Sequence, residues 1–211
     1  MCNLYRMQAS VDEISRLFGT TRNLLGNLEP YDAIYPAQDA PVIATGEGGA
    51  RSLGRMIWGF PPPGDVKRPV TNVRNLDSPF WRASLVKPNR RCLVPVTSFC
   101  EWTGETGSKR KVWFGVKDLP VFAFAGIWRP PAGTGDGSAT ADKTEEETSS
   151  PLPHYAFLTC APNETVGAVH PKAMPVILTP DDAELWLTGD WGEARPLVRA
   201  FPDERMVVVR D

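Results

Sequence analysis

RCLVPVTSF at 91–99, KVWFGV at 111–116 and VFAFAGIW at 121–128 are the runs whose reading decides the fold. Each is of strand length, rich in β-branched and aromatic residues, and bounded by polar or proline-bearing breaks, so each is predicted as a strand. Lys117-Asp118-Leu119-Pro120, between the last two, has the composition of a hairpin turn. The same signal extends outward to PVIAT at 41–45, SLGRMIWGF at 52–60, HYAFLTC at 154–160 and RMVVVR at 205–210. Gly46-Glu47-Gly48-Gly49 lacks the lysine and serine of a phosphate loop and reads as a hairpin turn.

Helices are fewer, and their caps mark them. Ser10-x-x-Glu13 is a capping-box pattern followed by Ile14, Leu17 and Phe18 at helical spacing, which predicts a helix over 11–18 stopped by Gly19. SPFWRASLVK at 78–87 reads as a second, with Ser78 as cap, Pro79 in its first turn and Arg82 on its polar side. Thr179-Pro180-Asp181-Asp182 caps a third. Strands outnumber helices and lack the regular alternation of a parallel α/β sheet. The prediction is an α+β fold: one domain over 1–211 on a mostly antiparallel, barrel-like sheet with short flanking helices.

At 211 residues, 42% hydrophobic and 23% charged, the chain is long enough for one well-buried core. Cysteines 2, 92, 100 and 160 include no C-x-x-C pair and there are two histidines, so neither a disulfide framework nor a metal site is expected, and no organic cofactor. The amino-terminal stretch has no apolar signal core and no run reaches membrane-span length, so a cytoplasmic protein without a membrane partner is expected. The net charge is −2, yet residues 131–150 alone carry five acids and one lysine, leaving the remainder at +2. That segment reads as a flexible acidic insertion joining two strands. Lys67, Arg68, Arg74, Arg82, Lys87, Arg90 and Arg91 gather within 25 residues, a pattern that also suits an ordinary solvated face.

Met1-Cys2 carries the chemistry. Trimming of methionine ahead of a small side chain leaves a 1,2-aminothiol whose amine (pKa about 7.7–8.0) and thiol (about 8.5) both keep a reactive unprotonated fraction near neutrality. An aldehyde is its natural target: the amine forms an imine and the sulfur closes a five-membered thiazolidine. The plain alternative is a small buried residue at a strand start. Glu101, after the apolar run 91–99 and between Cys100 and Trp102, suits a general acid/base at a strand end, or else an exposed glutamate opening a polar turn. His170, at a loop-to-strand junction in AVHPKAMPVILT, is an acid/base candidate or a packed structural residue. Asn72 and Arg74, alternating with valines, share one face of an extended segment and suit anion recognition. Trp58 and Trp102 stand beside these motifs and are candidates for base stacking.

In order along the chain, Met1-Cys2, Tyr35-Pro36-Ala37, Trp58-Gly59, Asn72-x-Arg74 with Arg82, Phe99-Cys100-Glu101-Trp102, Ala125-Gly126-Ile127-Trp128 and His170 leading to Met174-Pro175 resemble the SOS response-associated peptidase (SRAP) family, which shields abasic sites in single-stranded DNA. The resemblance implies that Cys2 crosslinks to the ring-opened sugar aldehyde, that Glu101 moves protons, and that His170 stabilises the intermediate. It implies that Asn72 orients the Cys2 terminus and that Arg74 and Arg82 hold phosphates, with Trp58, Trp102 and Pro36 also lining the DNA. Self-removal of Met1, a monomer, and association with the nucleoid on DNA are the further expectations. The runner-up is an amino-terminal-nucleophile amidohydrolase; a plain single-strand-binding module is a third reading.

Overall fold

The computed structural model describes residues 2–62, 68–105, 107–131 and 151–209; Met1, Lys67 and the acidic insertion beyond Pro131 lie outside them. The first half of the chain runs β1 (Tyr5–Met7), α1 (Val11–Phe18), β2 (Arg22–Asn23), β3 (Tyr31–Ile34), β4 (Asp39–Thr45), β5 (Arg51–Trp58), β6 (Asn72–Val73), α2 (Pro79–Val86), β7 (Arg91–Val96) and β8 (Ser98–Thr103). The second half runs β9 (Arg110–Val116), β10 (Phe122–Arg129), β11 (His154–Cys160), α3 (Glu164–Gly167), β12 (Met174–Pro175), β13 (Ile177–Leu178), α4 (Pro180–Thr188), α5 (Trp191–Ala194) and β14 (Met206–Val209).

Local chemistry accounts for the helix ends. Ser10 Oγ accepts from Glu13 N at 3.2 Å, and Gly19 closes α1 in the left-handed region at φ 62°, which glycine adopts without a Cβ clash. Ser78 caps α2 from ahead of Pro79, and Thr179 with Asp182 completes a reciprocal capping box on α4. Among the described residues no helix is long and apolar enough to cross a membrane.

The strands form two sheets. One is antiparallel, in the order β14-β9-β8-β1-β3. The other follows β12-β11-β10-β7-β4-β5-β2, and β11 also pairs with β5, so β5, β4, β7, β10 and β11 close into a ring. The fold is α+β, as predicted, and among the described residues parallel pairings are confined to β2–β5, β11–β5 and β11–β6.

Two strand readings are corrected. Residues 91–99 are not one strand: β7 belongs to the ring and β8 to the other sheet, and Thr97 makes the corner by donating its N–H to the Arg6 carbonyl at 2.9 Å. Nor does 117–120 close a hairpin. β9 pairs with β8 and β14, β10 with β7, β11 and β13, so the turn carries the chain from one sheet to the other. Asp118 takes the left-handed conformation there at φ 57°, which aspartate tolerates better than most residues.

Aromatic side chains join the sheets. Phe124 of the ring lies 4.8 Å, ring centre to ring centre, from Phe157, 5.7 Å from Phe99 and 6.0 Å from Tyr5, and is fully buried. Phe124→Ala would remove its contacts with Tyr5 and Phe99 of the other sheet and leave a cavity. Expected in urea unfolding is a loss of about 3–5 kcal/mol, with a Tm fall of roughly 2–4 °C for each kcal/mol.

Candidate functional site

The amino terminus is held by the sheet it enters, where β1 lies between β8 and β3. Cys100 N donates to the Leu4 carbonyl at 2.9 Å, carrying the β1–β8 ladder one step beyond the Tyr5–Phe99 pair. Cys2, two residues upstream, is 1% exposed, and its Sγ donates to the Leu4 carbonyl at 3.5 Å. From β6, which lies parallel to β11, Asn72 Nδ2 donates to the Cys2 carbonyl at 3.2 Å and to Thr71 Oγ1 at 2.8 Å. A neutral amide therefore fixes the backbone of the nucleophile without adding charge.

Glu101 sits inside β8, opposite Val112, and not at the start of a polar turn. Strand alternation explains its environment. Phe99 and Glu101 share the face turned to the main core, whereas Cys100 and Trp102 share the other, where they pack with Leu4 and Trp113. Glu101 is consequently 2% exposed. Burial raises its carboxyl pKa above the usual range, and neighbouring His170 opposes that shift. Burial likewise pushes the Cys2 thiol well up, and the Glu101 carboxylate pushes it further. Both groups thus hold their protons more tightly than in water.

His170 reaches the site from the turn after α3. Asn163 caps α3 by accepting from Val166 N at 3.0 Å, and His170 N donates to the Val166 carbonyl at 2.8 Å. His170 Nδ1 lies 2.9 Å from the Ala173 carbonyl and 3.9 Å from Glu101 Oε2. A carbonyl can only accept, so Nδ1 carries the proton in that bond and Nε2 is the basic nitrogen of the neutral ring.

The remaining candidates divide. Arg74 is exposed and donates through Nη1 to the Lys172 carbonyl, tying the end of β6 to the His170 loop. Asn72 is buried where Arg74 is exposed, so the two meet different surroundings. Trp102 is half-buried; its Nε1 donates to Asn3 Oδ1 at 3.1 Å and the Lys111 ammonium lies 5.7 Å from its ring. Arg82 is exposed on α2, and Pro36 is half-buried in the turn before β4. Trp58 is fully buried, 5.3 Å from the ring of Tyr5 and 5.1 Å from that of Phe157, with Nε1 donating to the Thr71 carbonyl. No ring face is open there for a base, so Trp58 is a core residue.

Sequence reading passed over Asn3, which braces Trp102, and the carbonyls of Leu4, Ala173 and Lys172, which orient Cys2, His170 and Arg74. Asn3 had a signal in its place beside Cys2. Backbone carbonyls leave none.

Several solved structures resemble the chain. A protein of Bacteroides thetaiotaomicron is 23% identical with a TM-score of 0.75, covering 100% of this chain and 93% of its own. A protein of Bordetella bronchiseptica is 20% identical with a TM-score of 0.73, covering 99% and 100%. A phage-related protein of the same organism is 20% identical with a TM-score of 0.71, covering 100% and 95%. At these identities the likeness is one of fold. Among curated proteins, no relative matches. The sequence model of the SOS response associated peptidase (SRAP) matches residues 1–210. The chain therefore belongs to the SRAP family, a membership that supports a role in the response to DNA damage.

Proposed function

We propose that this protein captures abasic sites in single-stranded DNA through a covalent bond to Cys2. The observation that carries the proposal is convergence: Asn72 holds the Cys2 carbonyl, and Glu101 lies 3.9 Å from His170 and pushes the Cys2 thiol pKa up by its charge, although the four residues span positions 2 to 170. The reaction needs a free amine, so Met1 must leave. The Cys2 amine then adds to the C1′ aldehyde of the ring-opened sugar, and loss of water gives an imine. The thiol adds to the imine carbon, its proton passes to nitrogen, and a thiazolidine results with one water released overall. A carboxyl whose pKa is raised by burial suits the proton transfers near neutral pH. His170 Nε2 supplies the second basic site. Arg74 and Arg82 hold phosphates, and Trp102 and Pro36 offer apolar surface to the bases beside the lesion.

Met1 leaves by the same chemistry turned on the chain itself. The Cys2 thiol attacks the Met1 carbonyl, the amide becomes a thioester with release of the Cys2 amine, and water hydrolyses the thioester to free methionine and thiol.

Two measurements test this. Protein incubated with a single-stranded oligonucleotide bearing one abasic site should give a denaturation-resistant band on a gel, absent with undamaged DNA. Persistence of the band in Cys2→Ala, or its absence from the native protein, would refute the proposal. Intact mass gives the second readout: aminopeptidase trims methionine before alanine as readily as before cysteine, so Cys2→Ala retaining Met1 identifies self-cleavage, and Cys2→Ala lacking Met1 rules it out.

A further inference from the structure

We infer that Thr71 is a positioning residue for the capture reaction, its hydroxyl holding the Asn72 amide in the one orientation that grips the Cys2 carbonyl. The role rests on the Cys2 chemistry proposed above and adds to it a residue that acts through Asn72.

An asparagine amide has two N–H donors and one acceptor oxygen. Both donors of Asn72 are engaged. Nδ2 donates to Thr71 Oγ1 at 2.8 Å and to the Cys2 carbonyl at 3.2 Å, so the shorter bond is the one to threonine. Oδ1 is buried and, among the described residues, has no hydrogen-bond partner. An unmet buried acceptor is costly, and two N–H bonds offset that cost where one long bond to Cys2 would not. The opposite orientation of the amide would set Oδ1 against the Cys2 carbonyl, two acceptors facing each other. Without the Thr71 hydroxyl, neither orientation is well satisfied and the grip on Cys2 loosens.

Thr71 is itself held from several sides. Its carbonyl accepts from Trp58 Nε1 at 3.2 Å, and Val70 before it exchanges both backbone bonds with Phe60, at 2.9 and 3.0 Å. Asn72 after it pairs with Phe157 of β11. A β-branched side chain has few χ1 rotamers. The methyl of Thr71 lies beside Gly59, where a Cβ in place of the glycine hydrogen would meet Thr71 Cγ2 at 3.3 Å. With the methyl placed there, the hydroxyl falls to the Asn72 side. A relay of hydrogen bonds thus links the buried Trp58 indole to the Thr71 carbonyl, the Thr71 hydroxyl to Asn72, and Asn72 to the nucleophile.

The test is single-turnover crosslinking of the native protein, Thr71→Val and Thr71→Ser to a single-stranded oligonucleotide bearing one abasic site, each on protein whose intact mass shows Met1 removed. Valine keeps the branched shape and cannot accept a hydrogen bond; serine keeps the hydroxyl. Thr71→Val is expected to lower the maximal rate roughly tenfold, about the worth of one neutral hydrogen bond. The DNA concentration giving half that rate should not move, since Thr71 reaches the reaction only through Cys2. Thr71→Ser is expected to restore most of the native rate, and Thr71→Ala, which sets no apolar group against the amide, to match Thr71→Val. Solvent exchange of the Asn72 Nδ2 protons, assigned by their loss in Asn72→Asp, gives a readout that needs no DNA. It should be slow in the native protein and Thr71→Ser, and faster by roughly tenfold in Thr71→Val. Equal maximal rates in native protein and Thr71→Val, no restoration by serine, or unchanged amide exchange in Thr71→Val would overturn the positioning role and leave capture by Cys2 standing. No crosslink from the native protein would overturn capture, and the role with it.

Discussion

Cys2→Ser is expected to abolish the denaturation-resistant adduct and yet to leave a crosslink that borohydride can trap. Serine keeps the terminal amine in protein whose intact mass shows Met1 removed, by aminopeptidase if the variant cannot release it, so addition to the sugar aldehyde and loss of water still give an imine. What is lost is closure. Sulfur held three bonds from nitrogen attacks the imine carbon intramolecularly, where effective concentrations reach about 10⁵ M or more; a hydroxyl is a far weaker nucleophile toward that carbon. The open imine then hydrolyses when the protein is denatured. Stable product should fall by at least roughly two orders of magnitude, while reduction of the imine to a secondary amine before denaturation restores the band. The fold should be indifferent, because among the described residues the thiol makes one long hydrogen bond, to the Leu4 carbonyl at 3.5 Å, and a serine hydroxyl can make the same bond. A stable adduct formed by Cys2→Ser would remove sulfur from the mechanism. Failure of borohydride to trap any adduct in Cys2→Ser protein that lacks Met1 would remove the amine.

Which parts of this centre were legible in the sequence follows from the range of the forces involved. Caps at Ser10, Ser78 and Thr179 act within three residues, and α1, α2 and α4 start where those caps place them. The corner at Thr97 depends on the Arg6 carbonyl, 91 positions away, so the apolar run 91–99 gives no sign of where one sheet hands over to the other. The same distance effect governs Glu101. Its type and its neighbours suggested an acid/base, but its burial is set by alternation along β8, and that alternation can be counted only once Ser98 is known to be the first residue of the strand. Trp58 failed in the opposite sense. Adjacent to a polar motif in sequence, it points into the core because Tyr5 and Phe157, from other strands, pack around it. His170 was recognisable by scarcity, being one of two histidines. Its orientation was not, since the Ala173 carbonyl that selects the tautomer belongs to the backbone.

Glu101→Gln is expected to move activity and stability in opposite directions. Crosslinking should slow by about 10²–10⁴-fold, the usual worth of a positioned general acid/base, because glutamine keeps the shape of the side chain and cannot exchange a proton. Stability should rise at neutral pH. The folded protein binds the Glu101 proton more tightly than the unfolded chain does, since burial raises the carboxyl pKa. A raised value contributes stability that is fully present below the ordinary glutamate pKa, about 4.3, and is lost as pH climbs through the folded-state value. The slope of that loss is at most about 1.4 kcal/mol per pH unit. Glutamine has no charge to desolvate at any pH, so its advantage in Tm should be largest near pH 7 and disappear near pH 4. His170, 3.9 Å away, works against the shift, which brings the upper end of the window down without reversing the sign. Parallel thermal unfolding at pH 4 and pH 7, with single-turnover crosslinking at pH 7, measures both effects on one variant. A lower Tm for Glu101→Gln at pH 7 would show that the carboxylate is stabilised in the fold and is no strained proton carrier. An unchanged crosslinking rate would remove Glu101 from the chemistry.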